Sequence, residues 1–97
     1  DVTRFYQAKR DTFLRLIRGS RFRPLPCRGP FFQLLDYSAI TSERDADYAL
    51  RLVREHGVAS IPLSPFLSGV DPGPVLRFCF AKKDETLRAA AERLCRI

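Results

Sequence analysis

Three stretches of this 97-residue chain repeat apolar residues at helical spacing, and the apolar runs between them are too short to be helices. Tyr6, Phe13 and Ile17, widened by Phe5 and Leu16, mark the first stripe. Ala46, Ala49, Leu50 and Val53 mark the second, and Leu87, Ala90, Ala91 and Leu94 the third. Such a stripe gains most of its stability by packing against another element. The intervening runs must supply the surface that receives all three.

Those runs read as strands. "SRFRPLPC" carries Pro24 and Pro26, which exclude central-strand pairing and make it an edge strand or extended segment. The turn signal "RGP" follows, and residues 31–37 read as a strand in hairpin with the segment before. "VASIP" is a short strand stopped by Pro62, "LSPFLSGVDPGP" a loop, and "VLRFCFA" the last strand. Gly19 and Gly57 read as C′ residues of the first two helices. Ser42 reads as the second N-cap with Asp45 in a capping-box position, and Asp84 as the cap of the last helix; no cap is read before Val2. The order helix, strand, strand, helix, short strand, strand, helix predicts an α/β fold of α+β-like character. It is a two-layer sandwich, with a small mixed sheet of three to four strands and three helices on one face. Residues 1–97 form one domain.

Composition narrows the setting. At 45% apolar and 29% charged the chain is globular in character. No window approaches the roughly 18 apolar residues of a membrane span, and no basic-then-apolar leader is present. Cys27, Cys79 and Cys95 are an odd number without paired spacing, so neither a disulfide framework nor a zinc site is expected. A reducing, cytoplasmic compartment fits them. The chain begins at Asp1 and contains no methionine, so a piece of a longer protein is expected. The net charge of +6 is spread along the chain, with arginine supplying 14 of the 17 basic side chains, which reads as solvated helix faces.

One residue interrupts the strand pattern. In "VLRFCFAKK", Val75, Arg77 and Cys79 share one face, and Leu76, Phe78 and Phe80 the other. Arg77 is either a strand residue on the solvent face of a one-sided sheet or a clamp for a carboxylate or phosphate. The planar guanidinium fork matches a carboxylate with two parallel hydrogen bonds, which lysine cannot reproduce. His56, the single histidine, reads as a surface residue at a helix end. Lys82 and Lys83 read as solvated. There is no glycine-rich phosphate loop, nucleophile elbow or metal-ligand spacing.

Taken together, "FFQLLDYSAI", "REHGVASIPLSPF" and "RFCFAKKDETLRAAAERL", in that order, resemble the C-terminal small domain of fold-type I, pyridoxal-phosphate-dependent aminotransferases. Within that family the chain is similar to the branch holding methionine and kynurenine aminotransferases, and the resemblance runs from about residue 5 to residue 97. It implies that Arg77 matches the arginine that binds the α-carboxylate of the amino-acid substrate. The family's Schiff-base lysine is not matched by Lys9, Lys82 or Lys83. Catalytic, cofactor-binding and metal residues are therefore expected to be absent here. The resemblance implies a homodimeric parent with a large domain that holds pyridoxal 5′-phosphate, acting on amino acids and 2-oxo acids, with no nucleic-acid or membrane partner. It also implies that the 97 residues alone are inactive. The competing reading, from charge and aromatics, is a stand-alone basic α/β module binding RNA, which would need aromatics on an open strand face.

Overall fold

In the computed structural model, residues 1–26, 29 and 31–97 are described; Cys27, Arg28 and Pro30, and with them most of the "RGP" turn, lie outside the described residues. The first helix, α1 (Val2–Leu16), is capped by Asp1, whose carboxylate accepts from the Thr3 amide at 2.9 Å. This corrects the reading that no cap precedes Val2. The helix stops at Ile17, so Gly19 is not its C′ residue, and Gly19 does not take a left-handed φ. Phe13 and Ile17 are buried as their spacing predicts, Tyr6 and Leu16 pack at the margin of the core, and Phe5 stays 56% exposed.

The strands β1 (Arg23–Leu25) and β2 (Phe32–Asp36) form the expected antiparallel pairing, with proline-bearing β1 on the edge. The second helix, α2 (Asp45–Arg51), passes directly into a π-helical turn at Leu52–His56. It ends at Gly57 with φ 66°, the left-handed conformation that glycine adopts without penalty. Two short elements follow, β3 (Ile61–Pro62) and a 3₁₀ turn at Ser64–Phe66. The strand β4 (Val75–Cys79) and the helix α3 (Asp84–Cys95) complete the chain.

The sheet has four strands in the order β1-β2-β4-β3, and every pairing is antiparallel. A mixed sheet is the expectation when a strand follows a helical crossover and lies beside the strand before it. Here β4 enters between β2 and β3. Those two strands do run the same way, but they never touch.

One face of the sheet is covered. Leu35 from β2 and Leu76 and Phe78 from β4 join Phe13, Ile17, Tyr48, Leu52, Leu87, Ala91 and Leu94 from the helical layer in a single buried cluster. Phe22 bridges the layers, with its ring 5.9 Å from Phe78 and 6.4 Å from Tyr48. Gln33, buried among these apolar groups, donates its amide to the carbonyls of Leu25 and Leu34 at 2.7 and 3.0 Å. Buried polar groups persist where such partners exist.

The second helix departs from its expected pattern at its start and on its buried side. Ser42 does not cap it, because the helix starts at Asp45 with Arg44 in the cap position and no side-chain cap bond. Asp45 is 1% exposed. Its carboxylate accepts from the Ala46 amide at 2.9 Å and the Ser64 amide at 2.8 Å, tying the helix start to the 3₁₀ turn after β3. The buried side is Asp45, Tyr48, Ala49 and Leu52, whereas Leu50 and Val53 are each 50% exposed. Asp84 likewise is the first residue of α3, behind Lys83 in the cap position, and pairs with Lys9 across the helix–helix contact at 3.1 Å.

Candidate functional site

The uncovered face of the sheet carries Arg77. In the antiparallel register Arg77 lies opposite Leu34 on one side and Ile61 on the other, with Phe32 opposite Cys79 one step along. These residues alternate with the helix-facing ones and are all half-buried. The Arg77 guanidinium lies over the Phe32 ring, 4.2 Å from its centroid. Its Nε is buried and has no hydrogen-bond partner. Among the described residues no carboxylate makes an ion pair with Arg77. The surroundings are thus one cation on a strand, flanked by the apolar side chains of Leu34, Ile61 and Phe32, with Asp36 further along the same face and not paired with it. The planar guanidinium of Arg77 presents its N–H donors in a fixed fork. It can take a bidentate oxyanion on its outer edge.

The other predicted candidates lie elsewhere. Lys9 is committed, donating to the Lys82 carbonyl at 2.6 Å and to Asp84 at 3.1 Å. Lys82 and Lys83 are exposed beyond the end of β4. His56 closes the π-helical turn, half-buried, and among the described residues no group of histidine, cysteine and acidic side chains is arranged to hold a metal. Cys79 and Cys95 are free thiols, and Cys27 lies outside the described residues. Among the described residues no helix is long and apolar enough to cross a membrane. Phe78 and Phe80, at 3% and 0% exposure, lie under the helices where no base could stack on them. A cleft of about 510 Å³ between α1 and β1 is lined by Asp11, Arg15, Arg18, Ser20 and Arg23, but not by Arg77.

The sheet end next to this face carries the perturbed groups. Burial raises the Tyr37 phenol to about 12, and the charges of Asp45 and Asp71 add to that; its hydroxyl donates to the Glu43 carbonyl at 2.7 Å. Burial pushes the Asp45 carboxyl up, but hydrogen bonds from Ser64 and from the Ala46 amide outweigh it and leave the group below its ordinary value. The hydrogen bond from Arg51 holds Glu43 below the usual carboxylate range. These groups fix the loop ends around α2 and are not directed at Arg77.

Two features escaped the sequence reading. The ring of Phe32 beneath Arg77 becomes visible only once the β2–β4 register is known, and nothing local announces it. Asp45 has a weak signal, an acid at the start of an apolar-striped helix, but its partner lies 19 residues on.

No protein-family model matches the chain. Curated relatives do. The chain is 49% identical over 90 residues to a methionine aminotransferase of Escherichia coli, covering 93% of this chain and 23% of that protein. It is 30% identical over 98 residues to kynurenine–oxoglutarate transaminase 3 of Mus musculus, covering 89% of this chain and 22% of that protein. Among solved structures, an Escherichia coli protein identified as a methionine aminotransferase superposes with a TM-score of 0.89 at 47% identity, over 96% of this chain and 25% of that one. N-succinyldiaminopimelate aminotransferase from Mycobacterium tuberculosis gives 0.82 at 28% identity, over 96% and 24%. The chain therefore spans about a quarter of the length of the proteins it matches. In sequence and in fold it belongs with the fold-type I aminotransferases, in the branch of the methionine and kynurenine enzymes, and has the architecture of their small domain.

Proposed function

We propose that residues 1–97 are the C-terminal small domain of a pyridoxal-phosphate-dependent aminotransferase, and that Arg77 grips the α-carboxylate of its substrates. One observation carries this reading. Arg77 stands on the helix-free face and, among the described residues, makes no ion pair, which leaves its donor edge available to a carboxylate from outside the chain. The relatives' names point to transfer of an amino group between an amino acid and a 2-oxo acid. Both substrates carry the same carboxylate, so one guanidinium serves both half-reactions. A bidentate grip fixes the substrate's orientation before chemistry, at a site that strengthens once water is excluded. The preferred amino acid is of the methionine, glutamine or aromatic type.

In the parent, pyridoxal phosphate supplies the electron sink that makes the transfer feasible. Nothing among the described residues forms a cradle for it. Lys9 is committed elsewhere, the other two lysines are exposed at the strand end, and no glycine-rich phosphate loop is present. On this reading the cofactor and the proton-moving lysine belong to the large domain, and inactivity of the 97 residues alone is part of the proposal. The parent is read as a cytoplasmic homodimer on the same resemblance. No observation favours an RNA-binding module.

The test is Arg77→Ala in the full-length parent. Loss of two charge-assisted hydrogen bonds, about 3 kcal/mol, lowers kcat/KM roughly a hundredfold or more, while the cofactor's absorbance is retained. Arg77→Lys, which keeps the charge but not the fork, also loses most of its activity. An unchanged kcat/KM in either variant overturns the assignment.

A further inference from the structure

We propose that Phe32 is the positioning residue for Arg77, holding the guanidinium in the plane and direction in which it takes a carboxylate; this rests on the reading of Arg77 given above. Arg77 has four freely rotating side-chain torsions, and among the described residues no side-chain hydrogen bond or ion pair orients it. Its cross-strand neighbours, Leu34 and Ile61, are aliphatic and offer no acceptor. Among the described residues, the one directional contact on its charged end is the aromatic face of Phe32, 4.2 Å from the guanidinium carbon to the ring centroid.

That contact suits the task. A ring covers one flat face of the guanidinium and attracts its charge through the quadrupole. It leaves the N–H groups, which lie in the guanidinium plane, free at the edge where a carboxylate binds. A carboxylate or hydroxyl orienter would do the opposite, occupying those donors and competing with the substrate. The stack therefore restricts the side chain before binding without using up its hydrogen-bonding capacity, so less entropy is lost when the substrate arrives. The strands supply the alignment. Phe32 faces Cys79 in the β2–β4 register, which sets its ring beside the residue two positions earlier on β4. Arginine on a half-buried strand with its Nε dehydrated and unpartnered is a costly arrangement for stability alone.

The experiment uses the full-length parent with L-methionine as amino donor and 3-phenylpropionate, a carboxylate without an amino group, as competitive inhibitor. The inhibitor reads the carboxylate grip separately from chemistry. Phe32→Leu raises both Ki and KM by about three- to thirtyfold, the range of a cation–π contact from exposed to dehydrated. At saturating donor kcat stays within about twofold, as expected when binding alone is weakened. Phe32→Tyr keeps the ring and restores Ki to within about twofold. Phe32→Met, closer in volume, repeats the measurement if Phe32→Leu is not folded by its thermal transition, and gives the same increase. The proposal is overturned if the ring-less variants bind 3-phenylpropionate as the unaltered enzyme does while Arg77→Ala abolishes inhibition. If Arg77→Ala itself leaves Ki unchanged, it is the assignment of Arg77 that fails.

Discussion

The two faces of β4 are one residue apart in sequence and opposite in character. Leu76 and Phe78 point into the helix-covered layer, where they are 0% and 3% exposed and touch the side chains of other elements throughout the core. Arg77, between them, stands on the opposite face beside apolar neighbours and one aromatic ring; Asp36 lies further along that face, opposite Val75, but among the described residues no acid pairs with Arg77. The first face accounts for the fold and the second is free to be specialised. A half-buried arginine adds little to stability, so its cost is tolerable only where the fold does not depend on it.

That contrast can be broken by paired substitutions. The largest expected effect is on the covered face. Phe78→Ala empties a site at the centre of the core and costs about 3–5 kcal/mol, enough to lower the thermal transition sharply and to abolish function with the fold. Arg77→Ala, one position away, does not destabilise the fold, because it removes a buried Nε that has no partner, and on the proposed reading its effect in the parent is a loss of binding. A calorimetric scan of both variants checks this. Equal destabilisation would erase the distinction between the two faces.

Asp45→Ala comes next, at about 1–3 kcal/mol, because it leaves the Ser64 amide without its acceptor at a buried position. The same carboxylate gives a pH signature. Its folded value is below its unfolded one, so its stabilisation is complete above about pH 4 and is lost as the pH falls through the folded value. Asp45→Asn flattens the acid limb of the stability–pH curve, and an unaltered limb would show that other carboxylates dominate it. Gly57→Ala costs about 1 kcal/mol. Its φ of 66° disfavours a side chain, and the new Cβ would sit 2.7 Å from the Arg93 Nη1 that donates to the Gly57 carbonyl. The smallest effect is Lys9→Ala. Its partner Asp84 is 72% exposed, so the ion pair contributes at most about 1 kcal/mol and less in high salt.

The helical stripes were legible where large side chains recur on one face. Phe13, Ile17, Leu87, Ala91 and Leu94 are all in the core. In α2 the same reasoning chose the wrong side. Its sequence carries two overlapping apolar stripes, and the buried one is the one holding Tyr48, whose ring packs 4.7 Å from Tyr37 and 6.4 Å from Phe22. Spacing alone does not say which stripe faces a sheet. The capping readings failed at Ser42 and Asp84 for a related reason. A polar residue near a helix start has several local and distant donors to choose from, and Asp45 is held by one 19 residues away.

What could be read along the chain were properties of neighbouring residues: helical and strand periodicity, the prolines that keep the second element at an edge and end the short strand at Pro62, the helix end at Gly57, and an arginine set between a valine and a cysteine on one strand face. These follow from backbone geometry and steric limits that act over a few bonds. Folding in three dimensions chose the rest. It inserted β4 between β2 and β3, made every pairing antiparallel, buried Asp45, and brought the Phe32 ring under Arg77 across 45 residues of chain. Each of those outcomes depends on which distant surfaces exclude water together, a contest among whole elements that no local pattern encodes.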